Sequence, residues 1–218
     1  MHPMQAFRNQ SRLTYLIWGG LALEIIAALI TGRWTAAFVA FGTLGLSMTP
    51  LFLASRLHIH LPKSIVALAV AFVFATIFLG EVFDFYERLW WWDIALHGLS
   101  AVGFGIAGFL FVFILFEGDR YAAPPWAMGL LAASIGIMIG VLWEIFEFAM
   151  DQAFGLNMQK SGLPDTMGDL IVDVIGASLG GTMGGLYLRG QALGSVSALV
   201  DEFVALNSRF FRRFRRKR

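Results

Sequence analysis

The chain has 218 residues, 58% of them hydrophobic and 14% charged, with a mean hydropathy of +0.71. These values exclude an ordinary soluble domain of this size and put the chain in a membrane. Its 16 Lys and Arg nearly balance its 15 Asp and Glu, so the distribution of charge carries the information, and the lack of cysteine excludes disulfides and thiolate ligands.

Six apolar stretches, 13–31, 34–54, 64–85, 93–116, 125–150 and 167–188, are each long enough to cross a hydrocarbon core, which takes about 20 residues. The first follows Arg8 and Arg12 and has no small-residue cleavage site after it, so it reads as a retained helix. Glu24 lies inside it without a spaced partner, and is expected to pair elsewhere or to cap the floor of a site. Six spans put both termini on one side. Arg8, Arg12, Arg56, Lys63, Arg120, Arg189 and the tail give 13 of the 16 basic residues to that side, against Arg33, Arg88 and Lys160 on the other. The positive-inside rule therefore predicts cytoplasmic termini.

Trp34, Trp90, Trp91, Trp92 and Trp126 fall at span ends, the usual level of an interfacial belt. Gly176, Gly180 and Gly184 recur every four residues, as do Gly181 with Gly185 and Gly136 with Gly140, which predicts close helix packing in lipid. Residues 1–192 are expected to form the six-span domain. Residues 193–218 read as a basic amphipathic cytoplasmic tail whose Arg and Phe suit anionic lipids, with no nucleic acid expected as partner.

One motif occurs almost twice. Glu81 and Asp84, followed by Asp93 and His97, return as Glu144 and Glu147, followed by Asp169 and Asp173. Spacings of three and four put side chains on one helix face. The repeat, 64–116 and 125–188, predicts that the last four helices form a quasi-two-fold bundle of two hairpins within an all-α, six-helix membrane fold. Ten of the 15 acids then fall on the outer third. Carboxylates crowded in a medium of low dielectric repel strongly unless protons or cations compensate.

The predicted metal ligands are therefore Glu81, Asp84, Asp93, His97, Glu144, Glu147, Asp169 and Asp173, with Glu147, Asp173 and His97 the candidate catalytic groups. Such an oxygen-rich set favours one or two divalent ions, Mg²⁺, Mn²⁺ or Ca²⁺, while His97 also suits Zn²⁺ or Fe²⁺. Glu87, Asp93, Asp151 and Asp165 read equally well as loop and cap residues, Asp165 before Thr166 as a helix N-cap.

At Trp92-Asp93 through His97-Gly98, at the Trp143–Phe148 string WEIFEF, and from Asp165 through Asp173, the chain resembles the YjdF-like family of bacterial multi-pass inner-membrane proteins. The resemblance covers about 64–188 and implies a bacterial inner-membrane location and a role for these acids, without naming a reaction. Three functions fit the sequence: a metal-dependent enzyme working on a lipid or polyprenyl head group, a divalent-cation or proton-coupled transporter or sensor, and a metal-stapled scaffold. A homodimer is compatible with each.

Overall fold

The computed structural model describes residues 7, 9–119 and 122–211. Arg8, Arg120 and 212–218, which enter the topology and tail readings, lie outside the described residues. Among the described residues every regular element is helical, and six helices are long and apolar enough to cross a membrane. They are α1 (Arg12–Ile30), α2 (Trp34–Arg56), α3 (Lys63–Val73) continued by a π-helical segment (Phe74–Val82), α5 (Trp92–Leu115), α6 (Pro125–Phe154) and α7 (Leu163–Leu188). A short α4 (Phe85–Arg88) follows the π segment, and α8 (Ser195–Leu206) follows α7.

The chain divides into two compact units. The first holds the residues up to Trp90 together with Glu202–Asn207. Ser11 caps α1 by accepting the Thr14 N–H at 3.1 Å, a contact contributing about 1 kcal/mol. Leu21, Ala40 and Phe78 are buried together, Leu51 with Val66 and Val70 form a second cluster, and Trp18 Nε1 donates to Ser47 Oγ at 2.9 Å. Glu24 does find a partner: Arg33, beyond the Gly32 turn, pairs with it at 3.1 Å. Asn207 is buried and works like a piece of backbone, accepting the His60 N–H at 2.8 Å and donating to the His60 carbonyl at 2.7 Å.

The third span departs from expectation. It does not continue as a regular α-helix to residue 85. Its last nine residues wind as a π-helix, and Asp84 adopts φ +55° before α4 begins. The wider winding and the left-handed residue break the three-residue register, so no helical face carries Glu81 and Asp84 together.

The second unit runs from Trp91 to Asp201 and resumes at Ser208. Its spanning helices are α5, α6 and α7, packed through glycine. A Cβ added at Gly105 would sit 2.6 Å from the Ala177 carbonyl, and one at Gly136 2.8 Å from the Ala177 side chain. Without Cβ atoms these backbones approach closely enough to gain dispersion contacts in a solvent that offers no hydrophobic drive. The two-hairpin repeat has no counterpart inside either unit, because Glu81 and Asp84 belong to the first and His97 to the second. Trp34, Trp90 and Trp126 are exposed, as belt residues are. Arg209 stacks on the Phe210 ring, its guanidinium carbon 4.5 Å from the centroid.

Candidate functional site

Three helices of the second unit deliver one polar cluster. α5 brings Asp93 in its first turn and His97 one turn later. α6 runs in the opposite sense and ends at Gly155, whose φ of +65° makes the left-handed cap that stops it. It carries Glu144 ten residues and Glu147 seven residues before its last, Phe154. α7 starts at Leu163, four residues before the predicted start, so Asp165 lies in the first turn and Gly162 takes the N-cap position. Asp165, Asp169 and Asp173 then share one face at spacings of four. The α6–α7 loop is fastened by Asp151, whose carboxylate accepts the N–H groups of Met158 at 2.7 Å and Gln159 at 3.0 Å. Gln159 Nε2 in turn donates to Thr166 Oγ1 at 2.6 Å, setting the entry to α7.

Burial within the cluster is deep. Asp169 and Asp173 are each 2% exposed, Glu144 4%, His97 8% and Glu147 9%. His97 is the hub, with Nδ1 3.3 Å from Asp173 Oδ2, and Nε2 3.8 Å from Glu144 Oε1 and 4.0 Å from Asp93 Oδ1. Trp143 Nε1 donates to Glu147 Oε1 at 2.8 Å. Glu144 is the odd member: both its oxygens are buried and neither meets hydrogen-bond geometry, although His97 and Thr166 stand beside it.

Two sets of ligand atoms converge. One atom each from His97, Glu144 and Asp169 lie within 4.8 Å of one another, and so do one each from Asp93, Asp165 and Asp169. Asp169 belongs to both sets. Burying an ionised carboxylate costs several kcal/mol unless it is paired, so this end of the bundle is an electrostatic demand for protons or a cation. Lys160 in the α6–α7 loop stands within electrostatic reach of Asp93 and Asp165.

Of the eight predicted ligands, the structure brings Asp93, His97, Glu144, Glu147, Asp169 and Asp173 together in the second unit. Glu81 and Asp84 lie in the first unit, both exposed, with Asp84 paired to Arg88 at 3.6 Å. Sequence reasoning missed Asp165 as a cluster member by reading it as a cap. It also missed Trp143, whose position four before Glu147 on α6 was the available signal, and Gly140, counted only as a packing residue.

A family model described as "Predicted membrane protein (DUF2238)" matches residues 13–190. A protein of Thermotoga maritima, described as an uncharacterized protein, is 28% identical over 170 residues, covering 77% of this chain and 86% of its own length. No solved structure matches the chain. The apolar spans and the acidic strings of α5–α7 all fall inside the matched region, and the chain belongs to the DUF2238 family of predicted membrane proteins.

Proposed function

We propose that the polar end of α5–α7 holds a divalent cation and that the protein is a metal-dependent membrane enzyme, hydrolysing or transferring a group at a lipid or polyprenyl head group. The observation that carries this reading is Glu144, a carboxylate 4% exposed, with both oxygens short of hydrogen-bond geometry and the His97 imidazole 3.8 Å away, converging with His97 and Asp169. A buried carboxylate so weakly partnered is costly, and a cation would remove the penalty. One imidazole with two carboxylates suits Mn²⁺, Zn²⁺ or Fe²⁺; Mg²⁺ or Ca²⁺ would lean on the further oxygens of Asp93 and Asp165, where a second ion would share Asp169.

Three protein ligands leave coordination positions open, and a bound ion there supplies an acidified water and a Lewis acid for an ester or phosphoryl oxygen. Glu147 is the group to take the proton, with one oxygen fixed by Trp143. The level of the site supports a head-group substrate: Glu144 is ten residues, about 15 Å at the helical rise, from the end of α6, and Phe154 at that end and Leu163 and Met167 at the start of α7 are exposed.

Passage of an ion through this unit has less support. Below the cluster, α5 after His97, α6 before Glu144 and α7 after Asp173 carry no Asp, Glu, His, Lys or Arg, and these stretches pack glycine to backbone. We further propose a bacterial inner-membrane location with both termini cytoplasmic, on the charge asymmetry of the loops, and contact of the basic tail with anionic lipid.

Elemental analysis of detergent-purified protein tests the centre, with wild type beside Glu144→Gln/Asp169→Asn. Stoichiometric metal in the wild type, lost in the double variant, is the expected result. Wild type that neither carries metal nor is stabilised by added Mn²⁺, Zn²⁺ or Mg²⁺ would sink the proposal. Turnover is then sought with phospholipid and polyprenyl phosphate substrates, where Glu147→Gln is expected to keep the metal and lose the reaction.

A further inference from the structure

Resting on the cation reading above, we propose that Asp173 is a positioning residue and not a ligand: seated in a notch at Gly140, it accepts a hydrogen bond from His97 Nδ1–H and aims Nε2 at the cation held by Glu144 and Asp169. The two nitrogens of an imidazole point from opposite edges, so a bond at one fixes the use of the other. His97 Nδ1 lies 3.3 Å from Asp173 Oδ2, while Nε2 faces Glu144 at 3.8 Å and Asp93 at 4.0 Å. Asp173 is also absent from both converging ligand sets, whereas Asp169, one turn earlier on the same face, belongs to both. A carboxylate behind a histidine in this way sets its tautomer and raises its basicity toward a metal.

Gly140 explains how the carboxylate comes to be there. It sits in the interior of α6, one turn before Glu144, with no positive φ to require glycine. Glycine in such a position is a disfavoured choice relative to alanine. The reason lies across the helix interface: an added Cβ would collide with Asp173 Oδ2 and stand 2.8 Å from its Cγ. Gly105, Gly129, Gly180 and Gly181 admit a neighbouring backbone and Gly184 the Phe109 ring, but the one at 140 admits the end of a charged side chain. Alanine there would push the carboxylate off His97 and leave the ring free to turn.

Co²⁺ titration of the full-length protein in detergent, followed by visible absorption, tests the assignment alongside the ¹⁵N signals of labelled histidine. In the wild type the Co²⁺-induced shift is expected at Nε2 of His97, with Nδ1 protonated. Gly140→Ala and Asp173→Ala are expected to weaken Co²⁺ binding about 10- to 100-fold and alter the absorption envelope while keeping helix content. Asp173→Asn, whose amide oxygen still accepts a hydrogen bond, should recover part of the loss. Unchanged affinity and spectrum in folded Asp173→Ala, or a metal shift at Nδ1, would overturn the assignment and leave the cation site standing. Should Gly140→Ala fail to fold, the Asp173 pair decides alone. Wild type that binds no Co²⁺ at any accessible concentration defeats the cation reading and this inference with it.

Discussion

Trp143 and Glu147 lie one turn apart on α6, and the indole N–H donates to Glu147 Oε1 at 2.8 Å, so a buried acid is held by its own helix. A hydrogen bond to a carboxylate is worth roughly 1.5–3 kcal/mol, at the upper end when the acid is ionised. Trp143→Phe should therefore lower thermal stability by about 1–2 kcal/mol, and the loss should shrink when Glu147→Gln is already present. A double-mutant cycle in detergent measures the coupling; independent, additive losses would mean that the bond contributes nothing.

Glu144 makes the opposite prediction. Both its oxygens are buried short of hydrogen-bond geometry, with only the His97 imidazole at 3.8 Å and Thr166 beside them, so it is expected to contribute little to the metal-free protein. Glu144→Gln should leave metal-free stability unchanged or raise it by up to about 2 kcal/mol, and should abolish the extra stability that the proposed cation would confer, about 2.7 kcal/mol at 100 times its dissociation constant. Melting curves with and without Mn²⁺ check both halves.

The glycine seams of the second unit predict a strong contrast between two substitutions on α5. Gly105 faces the Ala177 carbonyl, which an added Cβ would meet at 2.6 Å, whereas nothing lies within 4 Å of a Cβ at Gly103. Gly105→Val should cost about 3 kcal/mol or more through forced separation of α5 from α7, while Gly103→Ala should be neutral or stabilise by up to about 1 kcal/mol. Expression level and melting temperature separate the two.

In the first unit, Asn207 is the side chain to test. It is 1% exposed and satisfies both the N–H and the carbonyl of His60. Asn207→Ala would strand both groups, each at about 1–3 kcal/mol where water cannot enter. Amide exchange at His60 should rise by at least tenfold. By contrast, Arg33→Gln should change stability by less than about 1 kcal/mol, because the Glu24–Arg33 pair is half open to solvent on the arginine side.

The six spans were readable because a membrane imposes a length and a composition on each crossing, and the cluster on α5–α7 because regular helices preserve spacings of three and four. Asp169 and Asp173 met His97 as spaced. Glu81 and Asp84 did not stay in register, since neither a π-helical turn nor a left-handed residue at 84 leaves a mark in the apolar pattern. Asp165 looked like a cap because Pro164 and Thr166 flank it, yet the helix had begun two residues earlier. The notch at Gly140 was beyond reach: glycine spacing reports that something comes close, and only the packed helices identify the visitor as Asp173.

The length of α6 ties the site to the thickness of the bilayer. Thirty residues extend about 45 Å, against a hydrocarbon core of about 30 Å. With Pro125 level with one edge of that core, the opposite edge falls near Glu144. Longer acyl chains would draw the acids toward hydrocarbon and shorter ones would release them to the head groups, so the chain length of the surrounding lipids would set how far these acids are stripped of water.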